Sequence, residues 1–145
     1  MSIVSGVPAT KIRTARKTLT FTGASGLGLV NTNATIFTIT GEVYIHAIIP
    51  VCSTDLTGAT STVQLGTTQQ LSRFIGVTTA TDIDAGEFWV STTPTVGAID
   101  LPDAMQSVVI SEDEILVRSL TANTDAGVLE FTVYWEPIST DGTLV

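Results

Sequence analysis

Apolar and polar residues alternate along much of the chain, and this period of two predicts β-strands. The clearest case is the segment GEVYIHAIIPV at positions 41–51. Its apolar parity, predicted to face a core, consists of Val43, Ile45, Ala47, Ile49 and Val51. The other parity is less apolar and includes polar side chains; it consists of Glu42, Tyr44, His46 and Ile48. One face of this strand is therefore expected to be buried and the other to meet solvent or a partner.

A second strong strand is predicted at VLEFTVYWEP, positions 128–137, where Pro137 is expected to end the hydrogen-bond ladder. Both strong strands have one markedly apolar face, so they are expected to pack together. In particular, Phe131, Val133 and Trp135 should be buried opposite Val43, Ile45 and Ile49 or their neighbours. Weaker strand patterns cover positions 17–22, 34–40, 60–66, 72–77, 86–92, 107–111 and 114–121.

Segments rich in Gly, Asn and Asp separate these strands, as turn chemistry requires. They lie at positions 23–28, 53–59, 82–86 and 122–127, and the last is predicted to be a hairpin loop. About nine short strands in one chain are typical of a sandwich or barrel. We therefore predict an all-β fold, a single-domain antiparallel sandwich.

Charge is distributed unevenly along the chain. The segment KIRTARK, positions 11–17, holds four of the six Lys and Arg residues. The formal net charge of the chain is −8, so the remainder carries −12. A body this acidic repels phosphates, which argues against direct binding to nucleic acid.

The basic segment is expected to lie outside the core. Lys11, Arg13 and Lys17 share the parity of Leu19 and Phe21, so one unbroken inward strand would bury three cations. A change of direction or a bulge is therefore predicted near Thr18. This divides the chain into a basic, extended N-terminal arm, residues 1–17, and a β-sandwich domain, residues 18–145.

We interpret this arm as a partner-binding tether. Its predicted contact residues are Lys11, Ile12, Arg13, Arg16 and Lys17. The cations would pair with carboxylates of a neighbouring subunit, and the isoleucine would be an apolar anchor between them. The alternative interpretation is a terminus that is merely solvated by its charge.

Only 14% of the residues are charged, and a small domain with so apolar a surface usually covers part of it with other subunits. Self-association is therefore expected. No apolar stretch is long enough for a membrane helix, and the first ten residues lack the features of a Sec-type signal. Cys52 is the single cysteine, which excludes an intrachain disulfide and favours synthesis in a reducing cytoplasm.

The sequence contains no convincing catalytic or cofactor-binding motif. His46 is the single histidine, and Cys52 lies about 20 Å farther along an extended strand, beyond hydrogen-bond reach unless the strand breaks at Pro50. A surface or interface histidine is favoured over a catalytic one. The glycine-rich segment at 23–28 lacks the Lys and the helix pattern of a phosphate-binding loop. We expect no enzyme activity and no cofactor.

Two acidic segments invite a comparison with metal sites. Asp82 and Asp84 would supply two carboxylates to calcium, although a solvated turn is the better interpretation because an EF-hand loop needs further ligands. The run SEDE at 111–114 is interpreted as a solvent-facing loop.

Aromatic residues for stacking on sugars are few. Tyr44 and Tyr134 fall on outer faces, whereas Trp89 and Trp135 are expected in the core or at a subunit contact. A lectin-like role is open but has no motif in its support.

The succession of IFTITGEVYIHAIIPV, ATSTVQLG, FIGVTTATDIDAGEFW and LTANTDAGVLEFTVYWEPIS resembles the small virion proteins of tailed bacteriophages. The resemblance spans about Thr35 to Ser139. It implies a jelly-roll-like structural protein, a capsid decoration or cement protein that binds the major capsid protein and stabilises the head. It further implies a homotrimer on the capsid surface with no active site. Together with the cysteine count and the hydropathy, it leads us to expect synthesis in the host cytoplasm and no contact with membrane.

The alternative from another functional class is a carbohydrate-binding or receptor-binding module of a head fibre or tail. Such a module would bind host sugar through the loops at one end of the sandwich. An enzyme ranks third.

Overall fold

Seven strands form the fold of residues 11–145, the part of the chain that the computed structural model describes. They are β1 (Arg13–Thr20), β2 (Asn33–Thr57), β3 (Thr62–Thr67), β4 (Ile75–Thr79), β5 (Gln106–Leu120), β6 (Ala126–Pro137) and β7 (Thr143–Leu144). Single turns of 3-10 helix occur at Ala80–Asp82 and Asp103–Met105. No helix within these residues has the length and apolar character needed to cross a membrane.

The strands form one antiparallel sheet in the order β1-β6-β2-β5-β3-β4, and β7 adds to β2 beside this path. The prediction of an antiparallel all-β fold is confirmed. β2 is the central strand because its first half pairs with β5 and its second half with β6. The two-layer sandwich and the jelly-roll topology stay predictions.

Two long strands each join segments that the sequence divides. β2 unites the predicted strands 34–40 and 41–51, and β5 unites 107–111 and 114–121. The run SEDE therefore lies within β5, and its interpretation as a loop is wrong. The two strands bend together here, and φ is positive at both Gly41 (64°) and Glu112 (49°). The Gly41 N–H donates to Glu112 Oε1 at 2.9 Å across the bend.

A bulge in β2 changes which residues face the core. Ile45 pairs with Trp135 and Ala47 with Tyr134, so β2 has one extra residue at this point. Beyond the bulge the buried parity is that of Ile48, Pro50 and Cys52, whereas Ala47, Ile49 and Val51 are only partly buried. The predicted core parity is therefore correct before His46 and wrong after it.

The packing of the two strong strands is confirmed with this shift. Phe131, Val133 and Trp135 are buried. Their partners in β2 are Pro50, Ile48 and Ile45. The expected burial of these side chains thus holds, but Ile48 takes the place predicted for Ile49.

Trp89 closes the core from a loop, not from a strand. Positions 86–92 form isolated bridges only, so the strand predicted there is wrong. The Trp89 main-chain N–H donates to the Pro50 carbonyl of β2 at 3.1 Å. Its indole N–H donates to Thr78 Oγ1 of β4, also at 3.1 Å. The loop is therefore hydrogen-bonded both to the central strand β2 and to the edge strand β4.

The segment 122–127 crosses the sheet and is not the predicted hairpin loop. β5 and β6 do not pair, because β2 lies between them. The connection is held by three buried hydroxyl groups. Thr124 Oγ1 lies 2.8 Å from Ser61 Oγ and 2.9 Å from Ser119 Oγ.

Candidate interaction surface at the β1 edge

Within the described part of the chain, β1 is an edge strand whose pairing partner is β6. Its register runs from Arg13 opposite Trp135 to Thr20 opposite Val128, without a bulge. The strand continues through Thr18, so the predicted change of direction is wrong, and β1 crosses the predicted boundary between residues 17 and 18. Residues 1–10, the remainder of the predicted arm, lie outside the described residues.

The cations avoid burial because β1 is the outermost strand. Arg13, Ala15, Lys17 and Leu19 share the face of the buried β6 residues, but only Leu19 is buried. Arg13 and Lys17 remain exposed at the margin of the core, and Arg16 is exposed on the opposite face. Because β1 lies at the edge of the sheet, its cations stay exposed without a break in the strand. The alternation of residues along the sequence is the same in both cases, so it could not distinguish an edge strand from a broken one.

The predicted tether residues lie together at the β1 edge, and within the part of the chain that the structure describes they have no acidic partner. Lys11 and Ile12 directly precede β1, and the Ile12 side chain is 56% exposed. The Arg13 guanidinium lies 5.3 Å from the Trp135 ring centroid, a cation–π contact. Within residues 11–145 the cations of β1 form no ion pair, since the ion pair found there joins His46 to Glu136.

Among residues 11–145, the backbone hydrogen-bonding groups along one edge of β1 have no partner. The Phe21 N–H donates to the Gly127 carbonyl at 2.9 Å. This bond shows which residues of β1 point their backbone groups toward β6, namely those that share the odd-numbered parity of Phe21. Alternate residues point their N–H and C=O groups to opposite edges, so those of Thr14, Arg16, Thr18 and Thr20 point away from β6. At Thr22 the N–H donates to the Leu27 carbonyl, which closes this edge. The open stretch is therefore Thr14–Thr20.

A groove of about 450 Å³ lies beside this open stretch. It is lined by Lys17, Thr18, Leu19, Thr20, Thr22, Leu27, Thr35 and Ile36. On the side of β2 away from β5, pairing with β7 begins at Ile39 and pairing with β6 at Val43. Among the described residues the start of β2 thus has no strand on that side, and the groove separates two sheet edges.

His46 lies on the outer face and contacts an acid that the sequence did not indicate. Its Nε2–H donates to Glu136 Oε2 at 2.9 Å, and the Tyr44 ring packs edge-on at 4.6 Å between centroids. Glu136 lies opposite Tyr44 in the register of β2 and β6, so only the strand pairing reveals it. The arrangement fits a surface or interface histidine.

Cys52 lies on the core face, because the bulge at Ala47 reverses the parity it shared with His46. The thiol and the imidazole therefore occupy opposite faces of the sheet and form no dyad. Burial, together with repulsion from Asp55, Asp84 and Glu87, raises the pKa of the thiol from 9.0 to about 11, although its hydrogen bond to Thr54 opposes the shift. A thiol with so high a pKa is a poor nucleophile at neutral pH.

Asp82 and Asp84 lie at the turn after β4, near Asp55 and Glu87. The Ala85 N–H donates to Asp55 Oδ1 and the Asp84 N–H to Glu87 Oε1, both at 2.7 Å. These bonds give two of the carboxylates a structural role in the turn. Within residues 11–145 no group of three or more acidic, His or Cys side chains is arranged to hold a metal ion.

The apolar lining of the groove comes partly from residues that the sequence did not single out. Leu27 lies in the segment 23–28, predicted only as a connection between strands, and Ile36 lies within a strand pattern. Leu27 is 40% exposed, so the signal that the sequence offered is an apolar side chain in a glycine-rich turn. The groove itself depends on strand order, which no local pattern contains.

No protein-family model matches the chain, and no curated protein sequence does. The fold is similar to that of a solved structure described as a cyanophage Pam1 capsid asymmetric unit. The TM-score is 0.55 at 14% sequence identity, and the likeness covers 89% of this chain and 86% of that chain. At this identity the comparison concerns the fold alone.

Proposed function

We propose that the protein is a non-enzymatic virion structural protein, a capsid decoration or cement protein that binds the major capsid protein and stabilises the head. The observation that carries this proposal is the fold shared with the cyanophage capsid structure over nearly the whole length of both chains. A shared fold does not by itself define function, so features of this chain must support the proposal too.

The surface of the β1 strand supports a role in assembly. Its cations are exposed and unpaired within the described residues, and its outer backbone edge is open. Exposed charge with a complementary partner directs the register of an interface and its rate of formation. We infer that Arg13, Arg16 and Lys17, with Lys11 and Ile12 beside them, contact the capsid lattice or a neighbouring copy, a homotrimer being the assembly that we favour.

The positions of the reactive side chains support a non-enzymatic role. His46 is paired with Glu136 on the outer face, while Cys52 is buried on the core face with a raised pKa. Nucleophile and base need to be within hydrogen-bond reach of each other, and these two are not.

Immunogold electron microscopy of purified particles from the source of the chain tests this function. We expect many copies of the chain on the head surface. Particles that lack the chain should lose their integrity at lower temperature than complete particles. Absence of the chain from purified particles, or its location on the tail alone, would contradict the proposal.

A further inference from the structure

The open edge of β1 and the groove beside it both fit an added strand in extended conformation. The edge offers the N–H and C=O groups of alternate residues from Thr14 to Thr20, spaced for an extended chain. The groove beside Lys17–Thr20 has an apolar lining, in which Leu27 is 40% exposed while Leu19 and Ile36 are each only 6% exposed. An added strand would satisfy the backbone groups and place alternate side chains over the groove. β1 contains neither a proline nor a bulge that would prevent this pairing.

The cations of β1 determine which kind of added strand its open edge favours. Arg13 and Lys17 lie on the groove side of β1 and Arg16 on the outer side, so an added strand meets cations on both of its faces. Glu130 of β6 is opposite Thr18, but it forms no ion pair with these cations. The edge therefore favours a segment that carries carboxylates.

A second β1 strand is the wrong occupant. Antiparallel pairing of two β1 edges would bring the cations of one copy beside those of the other, and like charges opposite each other destabilise a sheet. Lys and Arg on an edge strand commonly prevent such edge-to-edge pairing. The same charges would attract an acidic strand from a different protein.

We propose that the open edge of β1 is a strand-addition site for an extended, acid-bearing segment of another protein. The segment hydrogen-bonds to Thr14, Arg16, Thr18 and Thr20, places an apolar side chain over Leu19, Leu27 and Ile36, and sets carboxylates beside Arg16 and Lys17. That the partner is a virion protein rests on the proposed function. The strand addition itself does not, and it is tested on the isolated chain.

The test uses two synthetic nonapeptides, one in which Asp residues fall on both faces of the strand around a central Val, and one with Lys in place of each Asp. Binding is followed by nuclear magnetic resonance, through amide shifts and through hydrogen exchange at Thr14, Arg16, Thr18 and Thr20. The acidic peptide should slow exchange at these four amides and bind at least about tenfold more tightly than the Lys peptide.

Two variants separate strand addition from simple attraction between charges. Thr18→Pro removes an outward N–H but leaves the ladder to β6 intact, which an edge strand tolerates. It should abolish protection of the edge by the acidic peptide, whereas Thr18→Ala, the matched control, should keep it. Replacing both Arg16 and Lys17 by Glu should reverse the preference in favour of the Lys peptide.

Three outcomes would overturn the proposal. Equal binding of both peptides would exclude selection by charge, and binding without protection of the four amides would exclude strand addition. Protection that rises with the concentration of the chain alone would show that a second copy occupies the edge. None of these outcomes depends on the chain being present in virions, so this test and the microscopy of particles fail independently.

Discussion

Gly28 lies where the turn after β1 meets the connection between β5 and β6. Its φ is 111°, and a Cβ atom there would collide with the Thr124 carbonyl oxygen. The Thr124 N–H donates to the Gly28 carbonyl at 2.8 Å, so the two backbones are held in close approach. Gly28→Ala should therefore lower the free energy of unfolding by about 2 to 4 kcal/mol, through backbone strain and overlap together.

Gly86→Ala is the matched control for this change. Gly86 also has a positive φ, 88°, but nothing lies within 4 Å of the position that a Cβ atom would take. The free energy of unfolding of this variant should fall only by the cost of the backbone conformation, about 1 kcal/mol. Equal shifts of the urea midpoint in the two variants would show that the cost at Gly28 comes from its φ alone and not from the contact with Thr124.

The Cys52 thiol tests the burial of the core face of β2. Its pKa is raised to about 11, mainly by burial, so the thiol stays protonated at pH 8. Labelling by a thiol reagent at that pH should be negligible in the folded protein and rapid in denaturant. Because the folded pKa is raised, the associated stability is present below pH 9.0 and is lost as the pH rises through 11. Rapid labelling of the folded protein would place Cys52 on the outer face.

At the scale of the strands, three hydroxyl groups secure the crossing from β5 to β6. Thr124→Val keeps the shape of the side chain but leaves the buried hydroxyls of Ser61 and Ser119 without this partner. We expect a loss of about 1 to 3 kcal/mol in the free energy of unfolding. Removing all three hydroxyls, with Ser61→Ala and Ser119→Ala added, should recover part of this loss. A triple variant less stable by the sum of the separate effects would contradict the network.

The strands also show which structural features an alternating sequence pattern can predict. It located β6 and both halves of β2, because their apolar parity reflects burial of one face. It could not detect the bulge at Ala47, since both parities are apolar beyond His46 and the extra residue is defined only by pairing with β6. The breaks predicted at Gly41 and at SEDE are real features of the backbone, but they bend two paired strands and do not end them.

The alternating pattern predicts neither β7 nor the order of the strands in the sheet. Thr143–Leu144 is too short to show a period, and its place in the sheet comes from pairing with Ile39 and Thr40. Positions 86–92 show the reverse case. The residues around Trp89 have strand-like composition, but the chain there forms a loop whose backbone bonds to β2.

At the scale of the whole molecule, charge was the most informative property of the sequence. The basic segment and the acidic remainder follow from the composition alone. The expectation that the cations lie outside the core agrees with their exposure in β1. The candidate surface needed the fold as well, because the open edge and the groove depend on β1 being the last strand and on the start of β2 lying beside it.

The central claim is that the protein attaches to a virion through the cations of β1. The most direct measurement is the fraction of protein bound to purified particles as salt is increased, with the wild type beside a variant in which Arg13, Arg16 and Lys17 are all replaced by Ser. Each exposed pair contributes only about 0.2 to 1 kcal/mol, but the effects combine over several pairs and over the copies in an oligomer. The variant loses the contact of Arg13 with Trp135, worth about 0.5 to 1 kcal/mol, so it should melt only a few degrees below the wild type. It should be released at lower salt. Identical release curves for the two proteins would contradict attachment through β1.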